Sequence, residues 1–235
     1  AGSIIRKRRS AGDLDPTVWM SKARFQLMLQ RLLPHYARAG SAADCSVRPG
    51  SEGAVFECFD GPAFIHIGFF VHRVHDVEPG LYMLVRDISR LPDLKAACKP
   101  QFEWTPAFPG VDNLPFFLLQ RQDARELATY VNHRQELGGD GVCTAAMLAF
   151  SRDLAVSSNA AEQYRAWHWE AGAIGQLLYL EAEAAGLAGN GMGCFYDDLV
   201  SEVFIQRSSP HPERAVKVSS GPLALGQKRA RLELN

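Results

Sequence analysis

Apolar residues first recur at helical spacing in Phe25, Met28, Leu29, Leu32 and Tyr36. Ser21 stands ahead of them, where its hydroxyl suits a helix N-cap, and the pattern runs out near Gly40. Residues 41–61 carry Pro49-Gly50, Gly53 and Asp60-Gly61-Pro62 and read as loop. Two apolar runs follow, 63–74 and 81–85, both rich in β-branched and aromatic residues. Between them lies Asp76-Val77-Glu78-Pro79-Gly80, and Pro-Gly suits the central pair of a type II turn, so the segment reads as a β-hairpin. Residues 92–115 hold five prolines and read as a long irregular loop, the kind that serves as a functional lid. Phe116 to Leu119 reads as a buried strand. Residues 123–133 and 141–150 read as short helices, the second almost wholly small and apolar.

The most informative stretch is 160–188. Tyr164, Trp167, His168, Ala171, Ile174, Gly175 and Leu178 fall on one helical stripe, and Trp169, Leu177, Tyr179 and Leu180 widen it. A helix apolar on most sides is buried on most sides. At 1.5 Å per residue it would run roughly 35–40 Å, longer than one small core requires. The pattern therefore predicts a central core helix that also serves a dimer interface. Gly186 suits its C-cap. Gly189-Asn190-Gly191-Met192-Gly193-Cys194-Phe195 then enters a short strand or turn. These glycines follow a helix instead of opening one, which excludes a dinucleotide fingerprint. They offer bare backbone that a flat ligand can approach.

Composition narrows the class. Of 235 residues, 47% are hydrophobic and 22% charged, which excludes a disordered chain. A formal net charge of −1 argues against a general nucleic-acid binder. The length fits one domain over residues 1–235. No apolar run reaches 18 residues, so no transmembrane helix is expected, and the basic start leads into no apolar signal-peptide segment. The five cysteines lie at least 13 positions apart, which excludes a C-x-x-C knuckle and points to the reducing cytosol.

The charge is nevertheless uneven. Arg6, Lys7, Arg8 and Arg9 crowd the start, and Lys228, Arg229 and Arg231 the end. Two readings stand: a pair of solvated tails, or one anionic ligand held by both ends. Arg8-Arg9-Ser10 favours the second, because guanidinium forks match phosphate geometry. His66 and His72 would share a strand face with Phe70, without the third ligand a metal site needs, and read as half-buried structural histidines. His168, between Trp167 and Trp169, reads as a packed, hydrogen-bonded residue. There is no G-x-S-x-G, H-E-x-x-H or Walker loop, so the common hydrolase and nucleotidase chemistries lack support.

Three blocks together resemble a known family. They are Ile4-Ile5-Arg6-Lys7-Arg8-Arg9-Ser10 with residues 25–34 (FQLMLQRLLP); Phe70-Val71-His72-Arg73-Val74 with Glu78-Pro79-Gly80-Leu81-Tyr82; and Tyr164 to Gly172 with Gly193-Cys194-Phe195-Tyr196-Asp197-Asp198. Spanning most of 4–204, they resemble the nitroreductase-fold flavoproteins, in the SagB/ThcOx-type branch. The resemblance implies an α+β fold, with a mainly antiparallel sheet flanked by helices and FMN bound at a dimer interface built from long helices. It implies that Arg8, Arg9 and Ser10 hold the FMN phosphate and ribityl chain, that backbone amides of Gly193 and Cys194 meet the flavin edge near N5, and that Arg231 completes the phosphate site. The expected function is that of a cytoplasmic FMN-dependent oxidoreductase. It would move hydride between NAD(P)H or a small organic substrate and flavin N5, and work as a homodimer or paired domain.

The chain departs from the family pattern in places. Gly12 stands where members often carry a basic residue, and the mid-chain ring contact has only Asn113 as a candidate. The Lys-Tyr pair of azoline-oxidising members is absent, and beyond residue 204 little more than Gly221-Pro222 and Arg231-Leu232 matches. Two alternatives follow: a non-catalytic scaffold of this fold that has lost FMN, and a flavin-dependent dehydrogenase or oxidase acting on a modified peptide. Some relatives carry two such domains in tandem, and this chain resembles one of them.

Overall fold

The computed structural model describes residues 2–34, 56, 62–111, 113–150, 153, 157–206 and 216–228. Three strands are buried along their whole length: β1 (Ile65–Val71), β2 (Gly80–Leu84) and β5 (Cys143–Phe150). A strand covered on both faces has no solvent side and so no polar alternation. That is why residues 141–150, expected as a helix, form a strand instead. Their small apolar residues suit a position between two layers, and pairing on both edges overrides the helix propensity of alanine. Ala145 lies opposite Phe69 of β1 on one edge and Leu223 of β7 (Val216–Gly226) on the other.

With β3 (Thr105–Pro106), β4 (Phe116–Arg121) and β6 (Ala188–Gly191), these strands make a seven-stranded sheet. Its order is β3-β4-β2-β1-β5-β7-β6, and each neighbouring pair is antiparallel. Side chains alternate across a strand. Ile65, Ile67, Phe69 and Val71 of β1 therefore join the core with α2 (Lys22–Arg31) and α6 (Ala160–Ala184). Phe70 points the other way, toward α3 (Leu91–Ala97), α4 (Arg125–Val131) and α7 (Asp197–Phe204). The result is a three-layer α+β architecture with a core on each side of the sheet, as expected. Gly68, mid-strand, lets the two layers close: a Cβ there would stand 2.6 Å from the Phe204 ring.

Several expected boundaries change. Ser21 caps α2 as expected, accepting from the Arg24 amide at 3.4 Å, but the helix ends at Arg31. Tyr36, Gly40 and all of 41–61 except Phe56 lie outside the described residues. β1 and β2 pair as the expected hairpin, yet the turn is not Pro79-Gly80. Gly80 opens β2, where a Cβ would meet the Gln120 carbonyl oxygen, and the left-handed residue of the connection is Asp76, with φ 56°. The expected loop 92–115 contains α3 and β3. Pro92 sits in the first turn of α3, where a missing amide proton costs no hydrogen bond.

The long helix forms as expected. α6 has 25 residues, about 37 Å at 1.5 Å each, and Gly186 follows it at φ 75°. Its buried face is shifted from the expected stripe. Trp167, Ala171, Ile174 and Leu178 are buried, whereas Tyr164 and His168 are exposed. His168 Nδ1 meets the Tyr164 carbonyl of its own helix, and its ring lies beside that of Tyr164. Two acids take inward positions instead. Glu170 pairs with the buried Arg86 and accepts from the Phe64 amide, while Arg86 also donates to the carbonyls of Leu32 and Ile65. Glu181 pairs with Arg31 at 2.7 Å. Each buried charge is thereby matched and hydrogen-bonded, which is the condition for tolerating it. On the opposite face Arg165, Trp169, Gly172 and Gln176 follow at helical spacing and are all exposed. Among the described residues, no helix is long and apolar enough to cross a membrane.

Candidate functional site

The first helix, α1 (Gly2–Lys7), buries none of its side chains and ends on Arg6 and Lys7. The chain leaves it through Arg8, Arg9 and Ser10 and is then fastened to the end of the sheet. The Ala11 amide donates to the Gly189 carbonyl at 2.9 Å, and the Asn190 side-chain amide donates to the Ala11 carbonyl. Leu14 forms a bridge with Lys228, and the Asp15 amide donates to the Gln227 carbonyl at 2.7 Å. Leu14 and Ala11 are buried against Ala188, Met192 and Ala224, which holds this crossing in place. The basic start and the basic end of the described chain thus converge on β6 and β7. Arg229 and Arg231 lie outside the described residues.

Arg8 and Ser10 both meet Tyr179 of α6. The Arg8 guanidinium lies over the tyrosine ring, 5.1 Å from its centroid, and Ser10 Oγ is 3.1 Å from the phenol oxygen. The Gly191 amide donates to that same oxygen at 2.7 Å. Arg9 is different: its Nη1 donates to the carbonyls of Arg6 and Arg8, at 3.0 and 2.7 Å, and satisfies the free end of α1. Among the described residues no carboxylate pairs with Arg6, Arg8 or Arg9. The cluster is therefore cationic, exposed except for the half-buried Arg8, and not neutralised by any described carboxylate.

Gly193 and Cys194 come two and three residues after β6 and are exposed. Nothing lies within 4 Å of where a Gly193 Cβ would stand. The Cys194 carbonyl accepts from the Gln135 side chain at 2.8 Å, which fixes the turn. The amides of Gly193 and Cys194 donate to no described protein group. Beyond them, Tyr196 stacks on His133 with ring centroids 3.9 Å apart. Asn113 is exposed in the loop before β4, in left-handed backbone at φ 62°.

His66, His72, Cys98 and Cys143 are buried in the layers of the fold. His66 and His72 are not half-buried, as expected, but fully enclosed. Burial, reinforced by Arg86, lowers the His66 imidazole to about 3. Burial lowers His72 to about 4, against the opposing hydrogen bond to the Gly138 carbonyl. Burial also raises the Cys98 and Cys143 thiols to about 12, so neither is a nucleophile at neutral pH. Among the described residues no cluster of His, Cys, Asp or Glu is arranged to hold a metal ion. Cavities of about 850 and 410 Å³ flank α4, and none of Arg8, Arg9, Ser10, Gly193 and Cys194 lines either one.

Sequence reasoning missed Tyr179, Gln135 and Asn190. Tyr179 carried a usable signal. A tyrosine on a core helix needs a partner for its hydroxyl, and the Gly-rich segment ten residues later supplies one.

No family model and no curated protein matches the sequence. Solved structures do match in fold. A candidate nitroreductase from Anabaena variabilis aligns over 97% of this chain with a TM-score of 0.64 and 19% identity, and this chain spans 38% of that protein's length. One from Ralstonia eutropha aligns over 97% of this chain and 82% of its own, with a TM-score of 0.54 and 12% identity. A chain of the Escherichia coli microcin synthetase McbBCD complex, solved with truncated pro-MccB17 bound, aligns over 96% of this chain and 71% of its own, with a TM-score of 0.54 and 15% identity. The chain has the nitroreductase fold.

Proposed function

We propose that the chain is an FMN-dependent oxidoreductase of nitroreductase type, related to the SagB/ThcOx branch and working as a homodimer or paired domain. One observation carries this reading: Arg8, with no carboxylate partner among the described residues, and the Ser10 hydroxyl lie beside the glycine strand, and just beyond that strand the amides of Gly193 and Cys194 donate to no described protein group. The donor set fits a flavin mononucleotide. Arg8 and Ser10 bind its phosphomonoester by charge and hydrogen bonding, with Arg231 as a further cation from the C-terminal side. The missing Cβ of Gly193 leaves the flavin edge room, and the amides of Gly193 and Cys194 supply donors there. When bound, FMN supplies hydride transfer at N5 between NAD(P)H or a small organic substrate and an electron acceptor. The exposed face of α6, with Trp169 and Gly172, is the surface on which a second copy or paired domain completes the site. The visible spectrum of the purified protein, with and without added FMN, tests the reading. Flavin absorbance that survives gel filtration and a rise in melting temperature with FMN are expected. A colourless protein that FMN does not stabilise overturns it and leaves the non-catalytic scaffold.

The likeness to a chain of the McbBCD complex, solved with a peptide bound, favours a second reading within the same chemistry. In it FMN, when bound at Arg8, Ser10 and the Gly193–Cys194 amides, would supply oxidation of a modified peptide, with oxygen as the electron acceptor. Anaerobic mixing with NADH and NADPH separates the two. Reduction by either nucleotide supports the reductase, and reduction by neither supports the peptide dehydrogenase.

A further inference from the structure

Tyr179 links Arg8 and Ser10 of the cationic segment to the glycine strand, beside the direct hydrogen bonds that Ala11 makes to Gly189 and Asn190. Its ring lies under the Arg8 guanidinium, its edge packs against Gly189, and its oxygen meets both Ser10 Oγ and the Gly191 amide. The direction of these hydrogen bonds follows from the donors available. A backbone amide can only donate, so the phenol oxygen accepts from Gly191. A hydroxyl that accepts is polarised into a better donor, which favours Tyr179 donating to Ser10 Oγ. Ser10 then accepts from Tyr179 and keeps its own proton for an outside acceptor. The ring meanwhile holds the Arg8 guanidinium by cation–π attraction on the same side.

We infer that Tyr179 is a positioning residue for a phosphomonoester: it turns the Ser10 hydroxyl outward and steadies Arg8, so that the two form one anion clamp. This rests on the flavin reading above, with the FMN phosphate as the anion. Tyr179 does not touch the ligand and acts through Ser10 and Arg8.

The test is a set of binding titrations on the purified full chain, using FMN and riboflavin, which lacks the phosphate. Tyr179→Phe keeps the ring and removes the hydroxyl. It should weaken FMN about tenfold, the loss expected for one hydrogen bond to a charged group, and change riboflavin affinity less than twofold. Ser10→Ala, an exposed substitution, should weaken FMN similarly. The Tyr179→Phe, Ser10→Ala double variant should lose no more than Ser10→Ala alone, because the tyrosine acts through the serine. Thermal melting checks that each variant folds, and Ser10→Ala keeps the test decisive if Tyr179→Phe does not. Unchanged FMN affinity in Tyr179→Phe, equal weakening of FMN and riboflavin, or additive losses in the double variant would overturn the inference while leaving the flavin reading intact. A wild-type chain that binds neither ligand overturns the flavin reading and the inference with it.

Discussion

His66 and His72 are paired with their surroundings as neutral rings. His66 Nδ1 accepts from the Arg86 amide at 3.2 Å, and His72 Nε2 donates to the Gly138 carbonyl at 3.0 Å. Their folded values, about 3 and about 4, lie below the unfolded value of 6.5. The unfolded chain therefore binds protons first as the solution is acidified. Stability is unaffected above about pH 6.5 and falls as the pH drops from there toward 4. Each histidine contributes up to about 1.4 kcal/mol per pH unit in that window. Urea unfolding between pH 6 and 5 should show a loss of about 2 kcal/mol from the pair, and His72→Gln should remove about half of that slope. An unaltered slope in His72→Gln would mean that other groups carry the acid response.

The elements show where pattern reading succeeds and where it stops. α6 was legible because 25 residues give periodicity many turns in which to declare itself. Its stripe is shifted because Glu170 and Glu181 face inward, and only their partners Arg86 and Arg31, far away in sequence, make them core residues. β5 was misread because a strand buried on both faces loses the alternation that distinguishes strand from helix. The exposed face of α6 leads to a prediction at this scale. Trp169 is 64% exposed, far more than a tryptophan of this size ordinarily is on an unpartnered surface. If α6 is the dimer face, Trp169→Glu should shift sedimentation velocity from dimer to monomer with an unchanged circular dichroism spectrum. A protein that sediments identically with and without the substitution excludes α6 as the interface.

At the scale of the molecule, residues hundreds of positions apart meet because β6 and β7 form one end of the sheet and the segment after Ser10 runs along it. Part of the candidate site was legible: Arg8-Arg9-Ser10 by its charge and the glycine cluster around 189–193 by its bare backbone, while the roles of Gly193 and Cys194 came from the family resemblance. The division of labour between the two arginines was not, since Arg9 closes the end of α1 while Arg8 lies over Tyr179. Arg8→Ala should therefore lower FMN affinity about tenfold, and Arg9→Ala should lower it less. The double variant should release flavin on dialysis while keeping the melting temperature of the flavin-free wild type and an unchanged sedimentation. Flavin retained by the double variant would refute the phosphate assignment.

The class of architecture came through the family resemblance, while the sequence by itself determined the long helix and its capping glycine, the cationic segment and the bare glycine turn. Each of these is written in neighbouring residues, through periodicity, charge or the absence of a side chain. Only the tertiary structure decided that 141–150 is a strand, that two acids of α6 face inward, and that Tyr179 joins Arg8, Ser10 and Gly191. Those outcomes depend on which distant group supplies a hydrogen bond, a counter-charge or a second covered face, and local pattern carries no record of the partner. The opening asymmetry of charge lies between the two cases. The sequence showed both basic ends, and the pairing of Leu14 with Lys228 brought the described parts of them together.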